Sequence, residues 1–267
     1  MRLHQPRGGS PGPLSPDLVL VHGLGSASTY WDNLRPSLER DYRVTAVDLP
    51  GHGPAATELT PAQAHPRALA ASVAADLAER GIDRAHLVGL SLGGWVVLEL
   101  AAAGRAASVT ALAPAGLWVE GAAIRLEREE AFVGHWLALV DPVLPVITRL
   151  PLVKELGLRT NVAHPDRATQ AQFLAAARAL GQAKGYAACD RAAVDHRFEA
   201  AADVHPDMPV TVAFGDADRN LPPESSQNRS LLPAHARWVS VADCGHAMSW
   251  DQPEACLRLI AETTGRA

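Results

Sequence analysis

Short apolar runs alternate with longer amphipathic segments in the first part of the chain and again after residue 204. The apolar runs have the length of buried strands, and the segments between them carry apolar residues at helical spacing. The predicted strands are residues 17–22, 42–47, 86–88, 108–113, 208–214 and 237–241. The predicted helices are residues 29–40, 66–80, 94–101 and a last segment that begins near residue 252. This alternation indicates a mainly parallel sheet with helices on both faces.

Two parts of the chain depart from the alternation. Residues 3–17 are rich in glycine and proline and are predicted to form a short edge strand or hairpin, then a turn. Between residues 116 and 203 no strand is predicted, and amphipathic helices are expected at 124–140 and 166–180. We therefore predict a core domain made of residues 1–115 and 204–267, interrupted by a helical insertion at 116–203.

A serine between two glycines stands where a predicted strand meets a predicted helix. Residues 89–93 have the sequence Gly-Leu-Ser-Leu-Gly and follow the apolar run 86–88. This pattern is typical of a nucleophile elbow, a strained turn that exposes the serine hydroxyl at a helix N-terminus. Side chains at positions 89 and 93 would collide with the flanking strand and helix. Ser91 is therefore the candidate nucleophile, at a helix end that favours negative charge.

An acidic turn and a histidine follow the last two predicted strands. A serine nucleophile needs a base, and the base needs a third group that orients it. Asp216 and Asp218 follow strand 208–214, and His246 follows strand 237–241. Because parallel strands end at one edge of a sheet, these side chains are expected to lie beside Ser91. We favour Asp218 as the acid, because Asp216 suits an Asx turn that caps the loop backbone.

Composition and charge exclude several function classes. A chain of 267 residues with 48% hydrophobic content can form one α/β domain with an insertion. A net charge of −5 without a run of Lys and Arg argues against nucleic-acid partners. Cys189, Cys244 and Cys256 are odd in number and widely spaced, so neither a disulfide framework nor a zinc site is expected. We also expect no cofactor and no other metal.

The terminus and the hydropathy profile predict a location. The first residues contain no apolar signal-peptide core, and no apolar stretch reaches the ~18 residues of a membrane span. We expect a cytoplasmic protein without a membrane partner.

The last predicted helix begins with a capping pattern. Asp251 and Glu254 have the spacing of a capping box.

Five segments together resemble the α/β-hydrolase superfamily, in its group of small esterase-like enzymes with a helical cap. They are His22-Gly23, Asp48 to Gly53, the elbow, Gly215-x-x-Asp218 and Gly245-His246. The resemblance spans most of the chain and supports Asp218 as the acid. One departure is Pro54-Ala55-Ala56, where the family commonly has a serine.

The resemblance implies an eight-stranded, mainly parallel sheet and makes the insertion a lid over Ser91. Apolar residues of such a lid have two interpretations, which are packing against the core and lining of a hydrophobic substrate pocket. The candidates for the pocket are Trp118, Phe132, Trp136 and Leu139, with Val143 and Ile147 also apolar in this region.

An acyl-transfer enzyme must stabilise the negatively charged oxygen of its tetrahedral intermediate, the oxyanion, with backbone N–H donors. The elbow motif predicts the backbone N–H of Leu92, the residue after the nucleophile, and that of Leu24 in the loop after the first strand. Gly23 and Gly25 let this loop approach a substrate closely, and His22 is expected to brace the loop rather than act as a base. The same loop has a rival interpretation as a dinucleotide-binding Gly-x-Gly-x-x-Ser turn, with Asp48 ending the next strand. That interpretation leaves the elbow and His246 unexplained.

The sequence therefore predicts a serine hydrolase that cleaves carboxylic esters with an uncharged, short- to medium-length acyl group. Its partner would be a small ester substrate, and the sequence leaves the oligomeric state open. One alternative is a carbon–carbon hydrolase of ring-cleavage products, which needs a basic residue in the pocket; the candidates are Arg125, Arg128, Arg149 and Arg159. Another alternative is a receptor that binds a small molecule without turnover. Epoxide hydrolase and dehalogenase relatives attack with a carboxylate, and the serine of this elbow disfavours both activities.

Overall fold

The computed structural model describes residues 15–121 and 128–266, and the side chains of residues 128–132 are outside the described part. Its sheet contains six parallel strands in the order β2-β1-β3-β4-β5-β6. They are β1 Asp17–Val21, β2 Arg43–Val47, β3 Ala85–Leu90, β4 Ala106–Leu112, β5 Val210–Gly215 and β6 Arg237–Val241.

The described residues thus contain six strands where the resemblance implies eight, and the count of eight is not confirmed. The structure adds no strand outside β2 or β6 within its described ranges. The edge strand or hairpin expected at residues 3–17 falls almost entirely outside them, because they begin at residue 15.

The central strands are apolar on both faces because helices cover both sides of the sheet. Every residue of β5 is buried, whereas the edge strands β2 and β6 are largely half-buried or exposed. Outside the segment between β4 and β5, the described helices are α1 Arg35–Leu38, α2 Pro61–Ala64, α3 Pro66–Glu79, α4 Leu92–Ala102, α10 Pro223–Ser226, α11 Met248–Asp251 and α12 Pro253–Thr264. Helix α4 lies between the sheet and α3, and almost all its residues are buried.

One predicted helix is interrupted. Residues 29–40 form a 3₁₀ turn at Ser28–Trp31 and the single-turn helix α1 instead of one continuous helix. Pro36 occupies the start of α1, where it has no N–H to donate to a preceding turn. The proline therefore begins a new helix instead of continuing the first.

Between β4 and β5 the chain forms helices, and within its described part it contains no strand. We call residues 128–203 the inserted segment. Its helices are α5 Arg128–Leu139, α6 Leu144–Ile147, α7 Pro151–Leu158, α8 Gln170–Gln182 and α9 Tyr186–Asp195. Helix α5 packs on α8, and α9 contacts α2 and α3 of the core. The division into a core and a cap stays a prediction.

Strand register aligns the carboxyl ends of the sheet. Val21 of β1 pairs with both Val47 of β2 and Gly89 of β3, and Gly215 of β5 pairs with Val241 of β6. Strands β2 and β3 lie on opposite sides of β1, so the strand order reverses there. The space beyond the carboxyl ends of β1 and β3 is therefore a topological switch point. Ligand crevices of open α/β sheets occur at such points. Among the described helices, none has the length and apolar character that crossing a membrane requires.

Candidate active site

Ser91 occupies the turn between β3 and α4, at the topological switch point. Its backbone has φ 54° and ψ −118°, a conformation that residues with a side chain rarely adopt. The surrounding chain holds this turn, since the Ser91 N–H donates to the carbonyl of Leu112 at 3.0 Å. The Ser91 carbonyl accepts from Trp95 at 3.1 Å and from Ala115 at 3.0 Å. The strained backbone predicted for the elbow is therefore present.

Glycines on both sides of Ser91 permit contacts between backbones. A Cβ at Gly89 would lie 2.2 Å from the carbonyl oxygen of Gly93, and a Cβ at Gly93 would lie 2.3 Å from the carbonyl oxygen of His22. Real Cβ atoms do not make such contacts with backbone. The requirement for small residues at positions 89 and 93 is thus confirmed, and it brings the start of α4 against the end of β1.

The loop after β1 lies directly beside Ser91. A Cβ at Gly23 would lie 3.1 Å from the Ser91 Cβ, a tight contact that glycine avoids and that shows how close this backbone comes to Ser91. Leu24, the next residue, is half-buried and packs against the core. The predicted oxyanion donors, Leu24 and Leu92, therefore stand on the two backbone segments that flank Ser91.

His22 is a buried, neutral group with both ring nitrogens occupied. Its Nε2 accepts from the Leu49 N–H at 3.0 Å, which leaves Nδ1 protonated and donating to the Gly23 carbonyl at 2.7 Å. Burial, with repulsion from His52 as a smaller cause, lowers the pKa of His22 to about 3. A neutral imidazole bonded on both sides braces the loop, as predicted.

The acid turn and the histidine loop meet through a direct hydrogen bond. His246 Nδ1 donates to Asp218 Oδ2 at 2.8 Å, and both residues are buried. The other oxygen, Asp218 Oδ1, accepts from the backbone N–H groups of Asn220 and Leu221 at 2.9 Å each. The carboxylate is thus held by its own turn with one oxygen turned to the imidazole. A charged partner at Nδ1 stabilises a protonated imidazole.

Asp216, the other candidate acid, faces elsewhere. It is exposed, and its Oδ1 lies 3.4 Å from the Cys244 N–H, so it braces the loop backbone. The choice of Asp218 as the partner of His246 thus agrees with the geometry. The two loops are packed closely, because a Cβ at Gly215 would lie 2.1 Å from the Cys244 carbonyl oxygen. Burial raises the pKa of the Cys244 thiol, so a thiolate is disfavoured beside this site.

The three catalytic candidates lie on one edge of the sheet. Ser91, Asp218 and His246 follow β3, β5 and β6, and the carboxyl ends of these strands are aligned.

The residues predicted to line a pocket differ from one another in burial. Trp118 is buried, and its indole N–H donates to the Ala193 carbonyl at 2.8 Å, so it packs the core against α9. Trp136 and Leu139 are 53% and 61% exposed on α5. The side chain of Phe132 lies outside the described residues.

The basic residues proposed for the carbon–carbon alternative gain no support. Arg149 and Arg159 are exposed, Arg125 lies outside the described residues, and so does the side chain of Arg128. In the part of the chain that the structure covers, no group of three or more His, Cys, Asp and Glu side chains could hold a metal ion.

Sequence reasoning missed Asp251, to which it gave a capping role. Helix α12 begins after Gln252, which makes no side-chain cap. The Asp251 carboxylate instead accepts backbone N–H groups from Gly245, Ala163 and His164. Two of these partners lie more than 80 residues away in the chain. Only its position five residues after His246 hinted at a link to the site.

Comparisons with known proteins agree with this architecture. Epoxide hydrolase EphH of Mycobacterium tuberculosis is 30% identical over 197 residues, which cover 72% of this chain and 91% of that protein. The pimeloyl-(acyl-carrier protein) methyl ester esterase of Aromatoleum aromaticum is 28% identical over 269 residues, covering 92% and 97%. The crystal structure of the enol-lactonase from Burkholderia xenovorans LB400 superposes with a TM-score of 0.74 at 22% identity, covering 97% of this chain and 94% of that one. The model of the alpha/beta hydrolase family matches residues 18–259, and the chain belongs to that family.

Proposed function

We propose that this protein is a serine hydrolase that cleaves carboxylic esters through an acyl-enzyme. The observation that carries the proposal is the buried His246–Asp218 hydrogen bond at the same sheet edge as the strained Ser91 turn. An imidazole oriented by a carboxylate, beside a serine on an elbow, is the arrangement that activates a hydroxyl for acyl transfer.

The reaction has two halves. Ser91 Oγ attacks the ester carbonyl while His246 Nε2 takes the hydroxyl proton, and Asp218 stabilises the resulting imidazolium. The tetrahedral intermediate collapses, the carbon–oxygen bond to the alcohol breaks, and His246 returns its proton to the leaving alcohol. A water molecule then loses a proton to His246 and attacks the acyl-enzyme. The second tetrahedral intermediate collapses, the bond between the acyl carbon and Ser91 Oγ breaks, and His246 returns the proton to Ser91 Oγ as the acid leaves.

The oxyanion of both intermediates would be bound by the backbone N–H groups of Leu24 and Leu92. The first belongs to the loop in contact with Ser91, and the second begins α4, whose N-terminal end favours negative charge. Loss of one such donor typically lowers kcat by about 100- to 1000-fold.

The exposed apolar side chains support an uncharged acyl group. Among the side chains that the structure describes, the large apolar ones with the highest exposure lie in the inserted segment; they are Val133, Trp136, Leu139, Val143, Val146, Leu150, Leu152 and Leu156. The relatives named as an esterase and an enol-lactonase support acyl-oxygen cleavage for this chain as well. Epoxide opening is disfavoured because that chemistry uses a carboxylate nucleophile, whereas the elbow of this chain has a serine.

The test combines turnover with chemical labelling. Purified protein should hydrolyse the nitrophenyl acetate, butyrate, octanoate and laurate series, and a fluorophosphonate probe should modify Ser91, as located by peptide mass spectrometry. Ser91→Ala should abolish both. Ligand-induced stabilisation without hydrolysis or labelling would refute the proposal and favour the receptor alternative.

A matched pair of aspartates tests the acid. Asp218→Asn should lower kcat by about four orders of magnitude, because an amide favours the wrong imidazole tautomer. Asp216→Asn, on the same turn, should leave kcat near the wild-type value because the exposed Asp216 carboxylate accepts from the Cys244 N–H and His246 donates to Asp218 instead. Equal losses in the two variants would contradict the assignment.

A further inference from the structure

One buried carboxylate joins the histidine loop to the inserted segment. Asp251 Oδ2 accepts the Gly245 N–H at 2.7 Å and the Ala163 N–H at 2.8 Å, while Oδ1 accepts the His164 N–H at 3.2 Å. Asp251 itself is 6% exposed. Hydrogen bonds from N–H groups to a carboxylate are stronger than those between neutral groups, and water competes weakly at a buried site.

These contacts surround His246. Gly245 precedes the histidine and donates to Asp251, and Ala247 follows it and donates to the Asn161 carbonyl at 2.7 Å. The two backbones are also in direct contact, since a Cβ at Gly245 would lie 2.7 Å from the Ala163 nitrogen. The Cys244–Gly245 peptide is therefore held by Asp251, and the His246–Ala247 peptide is held by Asn161 of the inserted segment.

We propose that Asp251 is a positioning residue that holds the His246 loop and the inserted segment in one fixed relation. The inference rests on the proposed function for its kinetic consequence. Asp218 fixes the imidazole at Nδ1, whereas Asp251 fixes the backbone from which the imidazole projects. With both constraints, Nε2 keeps one position toward the Ser91 hydroxyl through the reaction cycle.

Asp251→Asn is the main test because it preserves shape and removes one acceptor. The amide has a single carbonyl oxygen, so it accepts either from Gly245 and Ala163 or from His164, and its NH₂ group faces the remaining N–H. The variant should lower kcat by roughly 10- to 100-fold, the size of effect expected from a small misplacement of a reacting group. This loss should be similar for acetyl and octanoyl esters, and KM should stay close to the wild-type value.

A second readout does not depend on ester turnover. In ¹⁵N-histidine-labelled protein, a histidine that is hydrogen-bonded to a buried carboxylate gives a downfield Nδ1 proton resonance, which is assigned to His246 by its loss in His246→Gln. This resonance should broaden or disappear in Asp251→Asn because the loop that presents the ring is no longer fixed.

Asp243→Asn is the matched control. Asp243 joins the same two parts of the chain at the surface, because its carboxylate accepts from His164 at 2.5 Å and from Arg167 at 3.3 Å, whereas the Gly245 N–H donates to Asp251. Asparagine tolerates its φ of 56°. This control should keep the wild-type kcat and resonance. Gly245→Ala is a second test variant, since its methyl group pushes residues 162 and 163 away while Asp251 stays intact, and it should reproduce the kinetic effect.

The outcomes separate the inference from the proposed reaction. If Asp251→Asn and Gly245→Ala keep the wild-type kcat and resonance and lose only thermal stability, Asp251 is a structural residue and the inference is overturned. A rise in KM confined to octanoyl esters would also overturn it, because Asp251 would then serve the inserted segment alone. If wild-type protein hydrolyses no ester but the resonance is lost in Asp251→Asn and kept in Asp243→Asn, the positioning role stands and the proposed reaction fails.

Discussion

His22 illustrates how a side chain can control an atom that it does not touch. Its Nδ1–H donates to the Gly23 carbonyl, and that carbonyl shares a planar trans peptide with the N–H of Leu24. In such a peptide the carbonyl and the N–H point in opposite directions. Fixing the Gly23 oxygen therefore fixes the direction of the Leu24 N–H, the proposed oxyanion donor.

Two amide replacements separate the two hydrogen bonds of His22. His22→Asn keeps a donor near the Nδ1 position, whereas His22→Gln keeps an acceptor near the Nε2 position and loses the donor to Gly23. The glutamine variant should lose the larger part of kcat, up to the roughly 100-fold typical of a disturbed oxyanion donor. The asparagine variant should keep more activity but lose about 1–3 kcal/mol of stability, because the Leu49 N–H becomes an unpaired buried donor. Ester kinetics and urea unfolding measure the two effects, and a smaller loss of kcat in the glutamine variant would contradict the bracing role.

At the scale of elements, the elbow depends on a contact between the start of α4 and the end of β1. A Cβ at Gly93 would lie 2.3 Å from the His22 carbonyl and 2.4 Å from the Val21 carbonyl. Since both neighbours are backbone in the centre of the sheet, neither can move by a rotamer change. The glycine is therefore required by packing, although its own φ is not in the left-handed region.

Gly93→Ala and Gly81→Ala should differ for this reason. Gly81 has φ +75° and no atom within 4 Å of the position that a methyl group would occupy, so alanine there adds backbone strain alone, worth about 1–2 kcal/mol. Gly93→Ala adds a collision in the core and should destabilise by more, at or above the ~1–3 kcal/mol of an overpacked site. It should also lower ester turnover, because Ser91 and Leu92 move with α4. Urea midpoints at an unchanged m-value provide the comparison, and equal stability losses would contradict the packing argument.

Across the protein, the fold lowers the pKa of several histidines. Burial is the main cause that lowers the pKa of His22, His52, His65 and His86. The unfolded chain binds protons at these groups below their ordinary pKa of 6.5, whereas the folded chain does not until the pH falls further. The unfolded state thus binds more protons in this range, and stability rises with pH up to about 6.5.

The free energy of unfolding should therefore increase from about pH 4.5 to about pH 6.5 and then level off. The pKa of His22 is lowered to about 3, so this group remains neutral in the fold across the whole range. Replacing it by glutamine should reduce the slope by up to about 1.4 kcal/mol per pH unit below 6.5. Urea unfolding at several pH values measures the slope, and a slope equal to that of the wild type would show that His22 is protonated in the fold.

Local sequence determined the strands, the elbow and the order of the chemical groups. These features act through neighbours in the chain or through the backbone itself. Examples are the apolar runs, Pro66 at the start of α3 and the glycines beside Ser91. Their conformational preferences hold in any fold that contains a strand, a tight turn and a helix. The pairing of His246 with Asp218 was also predictable, because both follow parallel strands that end at one edge.

Features that depend on distant partners emerge only in the complete fold. Asp251 has the spacing of a helix cap, yet three N–H groups from two other parts of the fold donate to its carboxylate, and no local pattern encodes that choice. Trp118 packs against α9, whereas the sequence alone left packing and pocket lining both open, because an apolar side chain is buried by whichever surface reaches it. Local patterns fix conformation through the backbone, whereas the partner of a buried group depends on which segments the complete fold brings together.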